Sequence, residues 1–158
     1  MKKLAILIAL LSCCLACTSD DDLTLNGTIQ LDTGTYTLTE GSVNYTTSTI
    51  TGLDVVDFML TNGGNTPVMS VQVNRPADGQ PLTGTYHFDR MQDAPDYVSA
   101  TFSPANETYL VVHGTLDIQQ HAEDKYTLTF HNNKGMSFST DALLDFGGHI
   151  TGTFVVFQ

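Results

Sequence analysis

The chain has 158 residues, a length for one domain, with a formal charge of −11 and no tryptophan. Six basic residues stand against 17 acidic ones. Phosphate backbones and anionic lipid repel such a chain, which argues against nucleic-acid binding and polybasic membrane docking.

The N-terminus carries the first pattern. Met1-Lys2-Lys3 is a short positive start, and Leu4 to Leu11 is an unbroken apolar run. Extended through Ala16 the run reaches 13 residues. A spanning helix needs about 20. The segment therefore reads as the apolar core of a secretion signal and not as a transmembrane anchor. Two cleavage contexts compete, Leu10-Leu11-Ser12-Cys13 and Cys14-Leu15-Ala16-Cys17. Ala16 directly before Cys17, and Thr18-Ser19-Asp20-Asp21-Asp22 after it, favour the second. This stretch resembles a bacterial lipobox followed by the short acidic export signal of Bacteroidota surface lipoproteins. The resemblance implies a signal peptide over 1–16, lipid attachment at Cys17, and an acidic tether over 17–23. Within that tether Ser19, Asp20, Asp21 and Asp22 would form the export signal. It also implies a lipid-anchored place on the outer membrane, facing the cell exterior, with the membrane as partner through Cys17. One acyl chain binds a bilayer only marginally. The two or three chains that the resemblance implies, at about 0.8 kcal/mol per buried methylene, make attachment effectively permanent.

Removal of the signal sharpens the charge balance. Lys2 and Lys3 leave, and Arg75, Arg90, Lys125 and Lys134 then face all 17 acidic residues. The cysteines Cys13, Cys14 and Cys17 all lie at this end. A domain over 24–158 thus has no disulfide, no thiol nucleophile and no cysteine metal ligand.

Residues 24–158 read as a single β domain. No Pro/Gly cluster or low-complexity stretch divides them. Threonine is abundant, at 23 residues, and Val, Ile, Tyr and Phe supply much of the apolar content, a composition that suits a pleated, half-buried surface. Period-2 segments follow in chain order. They are Val55 to Leu60, Val68 to Val73, Tyr97 to Phe102, Tyr109 to His113, Gly114 to Gln119, Tyr126 to Phe130 and Ile150 to Phe157. Turn compositions fall at 62–65, 78–81, 104–106, 132–135 and 147–148. A short helix is predicted over Thr140 to Leu144. Gly-Thr followed by an alternating apolar pair occurs five times, beginning at Gly27, Gly34, Gly84, Gly114 and Gly152. These read as strand punctuation, with glycine at a bend, threonine outward and the apolar pair inward. The pattern predicts an all-β fold, an antiparallel sandwich or closed barrel of about nine to ten strands. The last two segments resemble the closing hairpin of small Bacteroidota lipoprotein domains.

Candidate chemistry is sparse. His87 and Asp89 share a face at i, i+2, which suits two metal ligands or a base with its orienter, but also a plain solvent face. Asp89, Asp93 and Asp96 concentrate carboxylates without the spacing of a calcium loop. Asp54 and Asp57 read as solvated strand charges. Ser70, Ser99 and Ser137 lack a nucleophile elbow. Tyr45, Tyr97 and Tyr109 are the aromatic residues available for sugar contact. No catalytic, cofactor-binding or metal residue is assigned, and no cofactor is expected. The resulting expectation is a surface-tethered lipoprotein whose non-catalytic β-domain acts as a binding or interaction module. Its partner would be a glycan, a small ligand or a protein, and not a nucleic acid. The alternatives are a carrier with a barrel cavity for an apolar ligand, and a hydrolase with a dispersed site.

Overall fold

The computed structural model describes residues 24–157. Every regular element among them is a strand. In chain order these are β1 (Leu25–Leu31), β2 (Gly34–Leu38), β3 (Glu40–Thr47), β4 (Leu53–Thr61), β5 (Val68–Pro76) and β6 (Gly84–His87), then β7 (Val98–Ser103), β8 (Tyr109–Gln120), β9 (Lys125–Ser137), β10 (Leu143–Thr153) and β11 (Val155–Phe157). The all-β expectation holds. The 11 strands slightly exceed the predicted number because short β6 and β11 pair separately from the longer runs.

Alternation explains why these segments are strands. In β5, Met69, Val71 and Val73 are fully buried while Ser70 and Gln72 are not. In β9, Tyr126, Leu128 and Phe130 point inward between half-buried threonines. A period of two places one face in the core and one in water.

One sheet runs β11-β3-β4-β5-β7-β8-β9-β10-β1-β2, with β6 added on β8. Its ladders are antiparallel apart from β11 on β3, which is parallel. That pair is a departure from a purely antiparallel sheet, and it arises from how the sheet curls. β10 runs through the single residue Phe154 into β11, and β2 runs through Thr39 into β3. β1 lies between β10 and β2 and starts at Leu25, opposite Gly152. Just beyond that point Val155 pairs directly with Ser42. The two ends of the sheet therefore belong to two bent strands that meet, and the sheet curls into a barrel-like form.

The interior is filled by side chains. Phe58, Tyr126 and Phe154 meet edge to face at centroid distances of 5.2–5.4 Å. Tyr36, Phe102, Phe146 and Phe130 continue the aromatic chain toward the other end. Fully burying each such ring contributes roughly 1.5–3 kcal/mol. Gly41 admits this packing, since a Cβ there would lie 2.6–2.8 Å from Leu25 and Phe154.

Three local expectations are corrected. The segment 132–135 is no break but part of β9, and 147–148 lies within β10. Bulges absorb the turn-like residues. The β8–β9 register shifts around His113, and the β10–β9 register shifts between Phe146 and Gly148. Gly114 sits at φ +90° with the His131 carbonyl 2.4 Å from where a Cβ would be, so only glycine fits this bulge. The helix predicted over Thr140 to Leu144 is a turn entering β10. There the Thr140 amide donates to Ser137 Oγ at 3.1 Å, and Asp141 adopts φ +56°. Side-chain hydrogen bonds of this kind compete with helix formation.

Candidate ligand groove at one mouth of the barrel

Arg75 is the penultimate residue of β5, directly opposite Asp54 on β4. Its Nη2 donates to Asp54 Oδ2 at 3.2 Å, with both side chains more than four-fifths buried. Nη1 donates to the Gln80 carbonyl in the β5–β6 loop. Nε is buried with no hydrogen-bond partner among the described residues. The β4–β5 ladder and the loop thus hold the guanidinium in one pose at the end of the barrel.

Beside it lies a hydrogen-bonded cluster built from three strands. Tyr126 Oη donates to the Glu123 carbonyl at 2.7 Å. A phenol has one proton, so Tyr126 accepts from Gln120 Nε2 at 3.1 Å and from the Tyr45 hydroxyl. The other end of Gln120 accepts from the Leu82 amide. Burial, and then the bond with Tyr45, push the Tyr126 hydroxyl well above the ordinary tyrosine range. It therefore acts as a fixed neutral dipole. Satisfied polar clusters of this kind hold their members rigidly.

Above the cluster is an open groove of about 490 Å³. Tyr45, Arg75, Gln120, His121 and Glu123 line it, together with Gly79, Gln80, Pro81 and Ala122. A phenol, a guanidinium, an amide, an imidazole and a carboxylate share one concave surface. Such groups offer paired donors and acceptors to a small polar ligand. The Arg75 charge is already met by Asp54, so the groove has no surplus cation.

The residues singled out from the sequence are placed as follows. Tyr45 lines this groove. Tyr109 is buried in the core, and Tyr97 is half-buried, its carbonyl accepting from the Asn74 amide. His87 is half-buried beside exposed Asp89, alternating with buried Tyr86 and Phe88. Asp96 pairs with Arg90 at 3.3 Å. Asp89 and Asp93 are exposed in the same loop, and no cluster of three metal-ligating residues occurs among the described residues. Asp57 accepts from Gln72 at 2.9 Å. Ser70 and Ser99 are half-buried strand residues. Ser137 donates to Glu107 at 3.0 Å, which ties the β9–β10 turn to the β7–β8 loop. Cys17, Ser19, Asp20, Asp21 and Asp22 lie outside the described residues.

The histidines are spread over the outer wall. His131 meets Asp117 at 3.1 Å, His149 meets Thr129 at 3.1 Å and His121 meets Thr127 at 2.9 Å. One registered row crosses six strands as Thr37, Thr28, His149, Thr129, Asp117 and Thr85. This wall is polar throughout that row.

Sequence reasoning singled out Tyr45 among the groove residues but not Arg75 or Gln120. Arg75 is one of only four basic residues outside the first three positions, and an arginine closing an apolar strand was the available signal. Gln120 gave none. Comparison of the chain with protein-family models, with curated proteins and with solved structures finds no match.

Proposed function

We propose that the chain is an outer-membrane lipoprotein, anchored through Cys17 and facing the cell exterior, whose domain is a non-catalytic binding module. Its ligand is a small neutral molecule rich in hydroxyl groups, such as a saccharide unit, held in the groove at the barrel mouth. The observation that carries this reading is the pre-built polar floor, Tyr45, Tyr126 and Gln120 beside Arg75, beneath an open groove. Planar amide and guanidinium groups match vicinal hydroxyls, and the half-buried Tyr45 ring offers an apolar face. The Asp54 partner of Arg75 and the acidic chain disfavour anionic ligands. The carrier alternative has less support, because Phe58, Tyr126 and Phe154 take up the interior that an apolar ligand would need.

Calorimetry against neutral mono- and oligosaccharides, with acidic sugars as a second panel, tests the groove. Neutral sugars should bind, and Gln120→Ala should weaken binding about tenfold, the worth of one good hydrogen bond pair. Binding that survives Gln120→Ala and Tyr45→Ala unchanged would move the site elsewhere. The anchor is tested separately. Cys17→Ala should abolish acylation while Cys13→Ala changes little. Neutral residues at Asp20, Asp21 and Asp22 should keep acylation but lose surface exposure.

A further inference from the structure

Three large apolar side chains are exposed together on the outer wall formed by β11, β3 and β4. Val155 pairs with Ser42 and Ser42 with Met59, so Val155 and Met59 flank one serine in register. Phe157 stands two residues further along β11. Met59, Val155 and Phe157 are 46%, 45% and 55% exposed. They line a single shallow groove of about 460 Å³ whose other members are Gly41 and the polar Glu40, Ser42, Thr61 and Thr153. Outward positions elsewhere on the barrel are mainly polar, as the six-strand Thr/His row illustrates. Clustered apolar exposure on an otherwise polar wall marks an interaction surface.

The described chain begins at Thr24, whose carbonyl accepts from the Thr153 amide. Thr153 lines the apolar groove. Six residues separate Cys17 from Thr24, and they reach at most about 25 Å when fully extended. A domain of this size has a radius of gyration of about 14 Å. A tether this short, joined at Thr24 next to Thr153, keeps the domain close to whatever holds Cys17 and lets that wall face it.

We propose that the Met59, Val155 and Phe157 wall rests on the lipid surface to which Cys17 is attached, fixing the domain on its side. This rests on the lipoprotein reading given above. Apolar and aromatic side chains enter the interfacial region of a bilayer, where Lys and Arg are not required. The acidic chain favours zwitterionic over anionic headgroups. In this pose the Thr/His wall on β8, β9 and β10 points away from the membrane, and the mouth with Tyr45 and Gln120 opens sideways.

The absence of tryptophan makes single-tryptophan reporters unambiguous. Phe157→Trp and Met59→Trp report the patch from two strands, so one remains if the other fails to fold. Phe138→Trp reports the opposite side of the barrel, just after β9 and four strands around from β4, where Phe138 is 59% exposed. The full chain is expressed and processed in a bacterial host, then reconstituted into phosphatidylcholine–phosphatidylethanolamine vesicles with brominated acyl chains. Both patch reporters should shift to the blue and lose emission by bromine quenching, while Phe138→Trp keeps water-like, unquenched emission. Mass spectrometry of each preparation reads acylation of Cys17. Acylated protein with unquenched patch reporters, or with all three reporters quenched alike, overturns the orientation and leaves the anchor standing. Unacylated protein overturns the anchor and the orientation with it.

Discussion

Phe154 is where β10 becomes β11, so its ring both bends a strand and fills the core. Phe154→Leu keeps an apolar side chain of similar bulk but removes two edge-to-face contacts, with Phe58 at 5.4 Å and Tyr126 at 5.4 Å. Each aromatic pair is worth about 0.5–1.5 kcal/mol beyond area burial. The change of shape in a packed site adds up to about 1.5 kcal/mol. The expected loss is about 2–4 kcal/mol, read by urea denaturation as a lower midpoint with a similar slope. Phe157→Leu, three residues on but 55% exposed, should stay within about 0.5 kcal/mol of the parent. A double-mutant cycle with Phe58→Leu should return about 0.5–1.5 kcal/mol of coupling. Equal losses for Phe154→Leu and Phe157→Leu, or a cycle with no coupling, would refute the account of a core closed at Phe154.

Three further expectations concern pH and backbone. The hydrogen bonds from Ser139, and then Ser137 and backbone amides, hold the Glu107 carboxyl below its ordinary value of 4.5. Its contribution is therefore complete above about pH 4.5 and is lost as pH falls through the lowered folded value. The stability difference between parent and Glu107→Gln, measured by denaturation at stepped pH, should shrink on acidification; a pH-independent difference would contradict this. Burial raises the Tyr126 hydroxyl above its ordinary value of 10.0, so the folded state holds its proton longer than the unfolded state. Stability should fall as pH rises above 10, and Tyr126→Phe should flatten that alkaline limb, with burial of Tyr86 sustaining the remainder. Gly114→Ala should cost about 3 kcal/mol or more, because strain at φ +90° adds to a 2.4 Å contact with the His131 carbonyl. Gly79→Ala, with φ +71° but open space around it, should cost only about 1–2 kcal/mol of strain. Thermal melts of the two variants separate the cases, and similar losses would argue against the bulge geometry.

The faces of the strands were legible in the sequence. Within the period-2 segments, alternation puts Tyr126, Leu128 and Phe130 on one face, and likewise Leu116 with Ile118 and Met69 with Val71 and Val73, and all of them are buried. Alternation is a local property, since successive side chains on an extended backbone must point to opposite sides. Boundaries were less legible. Asn132 to Gly135 and Gly147-Gly148 have turn composition, yet bulges keep them inside β9 and β10. Whether a glycine ends a strand or bends it depends on the partner ladder, which the local residues do not encode.

By itself, then, the chain order of residues determined an all-β domain, its inward faces and its acidic, cysteine-poor character. Only the tertiary structure decided the closure, because the parallel pairing of Val155 with Ser42 joins residues more than a hundred positions apart. The groove has the same origin. Tyr45, Arg75, Gln120 and Tyr126 come from four strands, and their hydrogen bonds exist only once the curled sheet brings those strand ends to one mouth. A site assembled across strands leaves no spacing in the sequence, since the distance between its members is set by the ladder between strands rather than by the number of residues along the chain.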